Sequence, residues 1–233
     1  MSEAAAKFDA NRAGEYDRQA RIALAGYDAC HELTACVLAA ALEQRPAARL
    51  LVVGAGTAQE IVTIGALEPG WHFTAVDPAP PMIAIARERI AAAGLSARTV
   101  LHQGYVDDLG LGPPFDAATL IGVLHHLPGD AAKRSILAAI AARLAPGAPF
   151  VLACNYRPYA SQPLLLAAWR QRWRMHGATP AEIGAKLGKI QQGAEPPVAE
   201  QAVLDLLAGA GFVAPIRFFG SLFWGAWMAC RAS

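Results

Sequence analysis

Short apolar runs alternate with helical stripes through the middle of this chain. Leu50–Val53, His72–Val76, Arg98–His102, Phe115–Leu120 and Pro149–Cys154 have the length and composition of strands. Between them, helical spacing predicts crossover helices over Ala58–Ala66, Met82–Ala93 and Ala131–Leu144. Glu68-Pro69-Gly70, Pro80-Pro81, Gly94 and Ala145–Ala148 punctuate them. Strand and helix in strict alternation predict an α/β chain built on a doubly wound, mostly parallel sheet with helices on both faces. Near the end, Val198–Ala210 reads as a helix closed by Gly211, followed by strands at Ala214–Phe219 and Leu222–Cys230. Only Gly220-Ser221 separates the two, so they form an antiparallel hairpin at the sheet edge and bring the sheet to seven strands.

Two regions fall outside this alternation. Residues 1 to about 20 are polar and read as a loosely held arm or lid. From Ile22 to Leu42 the spacing is helical, broken at Gly26-Tyr27 and resumed after Asp28, which suits an N-cap. We therefore expect an N-terminal helical lid over residues 1–46 and a main domain over 47–233. Within the latter, about 160–197 is an inserted helical segment: a helix over Gln162–His176, a short one over Ala181–Leu187, and a linker over Gln191–Pro197. Trp169 and Trp173 stand four apart and share a helix face. They read either as an apolar stripe packed on the core or a partner subunit, or, with Arg170, Arg172 and Arg174, as an aromatic and basic wall around an anionic acceptor.

Composition removes several alternatives. Twenty Lys+Arg against nineteen Asp+Glu give a formal charge of +1, so direct nucleic-acid binding is not expected. Hydrophobic residues make up 55%, much of it alanine, yet no charge-free run is long enough to span a bilayer. The Met1-Ser2-Glu3-Ala4 start is polar, and a cytoplasmic protein is expected. Cys30, Cys36, Cys154 and Cys230 lack metal-ligand spacing, which predicts reduced thiols and no metal.

The candidate chemistry gathers at Arg49–Glu60. A buried strand running into Gly54-Ala55-Gly56 and then a helix places free backbone N–H groups at the carboxyl edge of a parallel sheet, where a carboxylate or phosphate can sit. The third glycine of a dinucleotide fingerprint is replaced by Gln59, which favours S-adenosylmethionine over NAD. Asp77 ends the second strand about twenty residues later and can accept the ribose hydroxyls. Tyr27 can cover the ligand and donate a hydrogen bond. His125 and His126 after the fourth strand, and Asn155-Tyr156-Arg157 after the fifth, are candidates near the reacting group, the histidines as a base or as a structural cap. Asp107 is an outside candidate for the adenine.

Val52–Thr57, Asp77–Met82 and Gly122–Leu127, in that order, resemble the class I S-adenosylmethionine-dependent methyltransferases, with their Rossmann-like fold. Tyr16–Cys36, Trp169–Lys189 and Ala210–Leu222 further resemble the carboxy-S-adenosylmethionine synthase branch, which acts in wobble-uridine modification of tRNA. By resemblance, the cofactor lies on Tyr27, Gly54, Ala55, Gly56, Asp77, Pro78, Met82, Tyr105, Val106 and Ile121, and the chain forms a homodimer through the inserted helices. Tyr105 stands where methyltransferases often place an acid for adenine, and Ile121 where the synthase branch has asparagine. That branch's carboxylate-binding arginine aligns near Leu187, so ordinary S-adenosylmethionine and a small-molecule methyl acceptor are expected. The synthase activity, and a cofactor-binding subunit without catalysis, remain the alternatives.

Overall fold

The computed structural model describes residues 10–110 and 112–233, with side chains from residue 15. Helices α1 (Ala10–Ala23) and α2 (Tyr27–Ala41) lead into β1 (Arg49–Val53), α3 (Gln59–Leu67), β2 (His72–Asp77), α4 (Pro80–Ala92), β3 (Thr99–Gln103) and β4 (Ala117–Ile121). Then come α5 (Gly129–Ala141), β5 (Pro149–Asn155), α6 (Pro163–Met175), α7 (Pro180–Gly193), α8 (Glu200–Gly209), β6 (Phe212–Ser221) and β7 (Trp224–Arg231). The seven-stranded sheet has the order β3-β2-β1-β4-β5-β7-β6. Strands β1 to β5 pair in parallel, and β7 runs antiparallel to both β5 and β6.

The unbroken apolar run of β1 follows from burial on both faces. Leu50 and Val52 point to one side, beneath Leu38 of α2, Ile61 and Ile64 of α3 and Ile90 of α4. Leu51 and Val53 point to the other, beneath Leu137 and Ile140 of α5 and Val203 and Leu207 of α8. This two-sided core holds the carboxyl ends of β1, β2, β4 and β5 at one edge.

Several boundaries differ from expectation. Residues 10–23 form a helix where a loose arm was expected, and residues 1–9 lie outside the described residues. Helix α1 is tied down by Asp17, which pairs with Arg89 of α4 and accepts from the Thr57 hydroxyl at 2.7 Å. Burial alone would raise the Asp17 carboxyl, but bonds from Arg89 and Thr57 hold it below its ordinary value. An Arg89→Ala variant should therefore lose roughly tenfold or more of the hydrogen-exchange protection of α1, with β1 and β4 unaffected. Equal protection in variant and wild type would show that α1 is held by packing alone.

Asp28 is not an N-cap. Gly26, at φ 84°, occupies that position, and Asp28 instead pairs with Arg21 across the bend at 2.7 Å. Helix α7 runs to Gly193, absorbing the start of the expected linker. Its N-terminus is closed by a reciprocal pair of bonds between Thr179 and Glu182, and Ile183, Leu187 and Ile190 pack as a stripe against α6. That packing outweighs the weak helix propensity of Gly184 and Gly188. The hairpin turns at Leu222-Phe223 rather than at Gly220-Ser221, because Phe223 is drawn into the cluster of Tyr159, Trp169 and Trp173. No helix among the described residues is long and apolar enough to cross a membrane.

Candidate functional site

The chain after β1 turns through Gly54 at φ 72° and Gly56 at φ 51°, values that glycine adopts without strain. Its N–H groups are not free as expected. Gly54 and Ala55 both donate to Val76 O, at 2.9 and 3.0 Å, and Ala58 donates to Ala55 O. The parallel ladder between β1 and β2 continues into the turn and uses them. What the turn offers is access: a Cβ on Gly56 would meet only Gly54 O, at 4.0 Å, so a ligand can approach the backbone there. A Cβ on Gly54 would lie 2.2 Å from Val123 Cγ2. Gly54→Ala should cost about 1–3 kcal/mol, combining left-handed strain with displacement of Val123, and its urea midpoint measures this. An unchanged midpoint would mean that the turn relaxes freely.

Asp77 sits behind this turn. One carboxylate oxygen accepts from Gly56 N–H at 2.8 Å and the other from Ala79 N–H at 2.9 Å. Burial raises its pKa, and the two N–H bonds oppose that rise. The residue expected to hold a ribose thus fastens the turn after β1 to the turn after β2.

Above the turn opens a cavity of about 900 Å3. Its floor is Gly54–Thr57 with Ile121 and Gly122, and one wall is Tyr16, Tyr27 and His31 from α1 and α2. The opposite wall is Tyr159, Trp169, Trp173, Lys186, Lys189 and Ile190, and His125, His126, Asn155 and Trp224 lie between them. Of the residues expected from the sequence, Tyr27, Gly54, Ala55, Gly56, Ile121, His125 and His126 line this cavity. Asp77 supports it from behind. Pro78, Met82, Tyr105 and Val106 are not among its lining: Met82 packs with Ala79, Tyr16 and Ile85, Val106 belongs to the core, and Tyr105 is exposed. Asp107 is also exposed, and Tyr156 is buried against Trp227.

The partners of the two histidines assign them different roles. His125 Nδ1 lies 3.4 Å from the Asn155 backbone N–H and accepts from it, which leaves the proton on Nε2. His126 Nδ1 lies 3.1 Å from Gly193 O, a group that only accepts, so Nδ1 is the donor of that pair.

Sequence reading missed several cavity groups. Glu60 is buried in the first turn of α3 and accepts from the Thr119 hydroxyl at 2.5 Å. Burial pushes its carboxyl up to about 8, the Thr119 bond opposes, and Asp77 adds to the rise. Burial likewise lifts the Tyr16 hydroxyl to about 12, with Asp77 adding to it, and lowers His31 to about 4. Glu60 closes the same twelve-residue stretch that holds the glycine turn, and an acid one turn from a sheet edge is the signal that marks it. His31 Nδ1, Asn155 Oδ1, Trp173 Nε1 and Trp224 Nε1 are buried without hydrogen-bond partners, and all four residues line the cavity. Buried polar atoms are nearly always satisfied, so these four are groups that a ligand or water in the cavity can bond.

Residues 51–150 match the family model described as a methyltransferase domain. An uncharacterized protein of Synechococcus sp. is 36% identical over 100 residues, covering 42% of this chain and 23% of that protein. Among solved structures, a protein described as a candidate O-methyltransferase from Nostoc punctiforme superposes with a TM-score of 0.67 at 15% identity, covering 95% of this chain and 59% of that one. The mitomycin 7-O-methyltransferase gives 0.62 at 20% identity, covering 86% of this chain and 54% of its own. Human N-acetylserotonin methyltransferase, in complex with S-adenosylmethionine, gives 0.60 at 17% identity, covering 85% and 52%. The chain therefore shares the Rossmann-like fold of these structures, with its methyltransferase-domain match confined to residues 51–150, and spans little more than half the length of each of them.

Proposed function

We propose that the protein is an S-adenosylmethionine-dependent methyltransferase acting on a small-molecule acceptor. The observation that carries this reading is the cavity itself: it opens on a glycine turn fastened by Asp77, within the segment that matches a methyltransferase domain. At about 900 Å3 it is at the upper end of the range for ligand sites and has room for a cofactor and an acceptor together. Tyr16, Tyr27, Gly56 and Glu60 would hold the cofactor, whose positive sulfonium suits the acidic Glu60 and Asp77 nearby. When bound, it supplies an activated methyl group. The chain orients the acceptor in line, excludes water with Trp169, Trp173 and Trp224, and takes up a proton at His126 Nε2 where the acceptor carries one.

His126→Gln should then lower kcat about a hundredfold for a protonated acceptor and leave cofactor affinity unchanged. A loss of cofactor affinity instead would make His126 part of the cofactor's cap. The decisive experiment is native mass spectrometry of the purified protein, with calorimetric titration of S-adenosylmethionine and S-adenosylhomocysteine. Tight binding of both supports the reading, and absence of either uptake overturns it. A released ligand heavier by one carboxylate would favour the synthase alternative, for which the cations Lys186 and Lys189 beside Leu187 speak. The reading includes residues 1–46 as a lid, a cytoplasmic setting consistent with four free cysteines, and a homodimer. For the dimer, Leu164 and Met175 lie exposed on the face of α6 opposite the buried tryptophans.

A further inference from the structure

We propose that the end of the cavity walled by α6 and α7 is a subsite for an anionic, planar acceptor, whose acidic group meets Lys186 and Lys189. This deepens the methyltransferase reading and rests on it. The cavity lining is not uniform in the groups it offers. At the glycine turn stand Glu60 on the wall and Asp77 behind it, an environment for the positive cofactor. At the far end two ammonium groups stand three residues apart on α7, so they share a face. Among the described residues, neither lysine is within 4 Å of a carboxylate. Lys186 Nζ donates to the amide oxygen of Gln19 at 3.1 Å, whose nitrogen donates in turn to Glu15 at 2.8 Å, and lies 5.0 Å from the Trp173 ring centroid. The Trp173 indole N–H is buried and unpartnered. Two ammoniums and an indole N–H are donors only, and the group that satisfies them together is a carboxylate or a similar acid.

The body of the acceptor is set by the rings between the lysines and the histidines. Trp169 and Tyr159 stack at 5.6 Å between centroids and, with Trp173, give the cavity an aromatic lining that suits a planar ring. Asn155 accounts for the other end of the ligand. Its Nδ2 donates to the Tyr159 hydroxyl at 2.7 Å, while Oδ1 is buried with no donor, which calls for a ligand hydroxyl or amine. The acceptor thus carries an acid at one end and a hydroxyl or amine at the other.

The test titrates 6-hydroxy-2-naphthoate and its uncharged amide into the S-adenosylhomocysteine complex, following tryptophan fluorescence. The acid should bind roughly tenfold more tightly than the amide, as one screened charge-assisted contact would give. In a Lys186→Gln/Lys189→Gln variant that preference should vanish while amide and S-adenosylhomocysteine affinities hold, and Lys186→Arg/Lys189→Arg should restore it. Equal binding of acid and amide to the wild type, a preference that survives in the glutamine variant, or no binding of the acid at all would overturn the proposal. So would loss of cofactor binding in the variant, because the lysines would then serve the cofactor. The titration of S-adenosylhomocysteine alone tests the methyltransferase reading separately.

Discussion

Asp77→Ala should destabilise the protein by about 3 kcal/mol and weaken S-adenosylhomocysteine binding by tenfold or more. The carboxylate is buried and accepts two backbone N–H bonds, each from a different turn. Removing it strands both donors and releases the turn that forms the cavity floor, so affinity and stability fall together. Asp77→Asn should fare little better: its amide offers one oxygen to two N–H groups and sets a donor against the other. Denaturant unfolding and calorimetry on the same two variants check this. A variant that loses affinity with stability intact would show that Asp77 acts on the ligand alone, and one that keeps both would remove it from the site.

Asp77 also illustrates what the sequence makes legible. A buried strand, a glycine turn and an acid twenty residues on are local patterns, and their meeting at one edge follows from parallel strand order. The sheet, its hairpin and the cavity floor were accordingly readable. The opposite wall was not, because it is assembled by contacts between distant segments. Lys186 reaches Gln19 across 167 positions, and Trp169 and Arg172 of α6 donate to the carbonyls of Ala23, Ile22 and Arg21 at the open end of α1. The tryptophans pack within the chain and also line the cavity, while Arg170, Arg172 and Arg174, expected with them in one wall, are not among its lining. The same limit explains the placement of Tyr105, which resemblance assigns to the cofactor and which lies exposed outside the cavity.

Replacing Glu60 by glutamine should make the protein more stable above neutral pH, by on the order of 2–4 kcal/mol at pH 8. An ordinary glutamate carboxyl titrates at 4.5, whereas burial holds this one to about 8. Between those values the unfolded chain has released the proton and the folded chain keeps it. Stability from this group is therefore full below 4.5 and is lost as pH rises towards 8. His31, lowered to about 4 by burial, has the opposite sign and gives up stability below about 6.5, so the window from 6.5 to 8 belongs to Glu60. Glutamine keeps the oxygen that accepts from Thr119 and has no proton to lose. Urea midpoints of wild type and Glu60→Gln should diverge across that window, and parallel curves would show that Glu60 ionises in the folded protein without penalty. In the proposed complex a sulfonium beside Glu60 favours the carboxylate, so cofactor binding near pH 7 should expel a proton from the wild type and none from the variant. Calorimetry in two buffers of different ionisation enthalpy reads that proton directly, and an identical apparent enthalpy for the wild type in both would separate Glu60 from the cofactor.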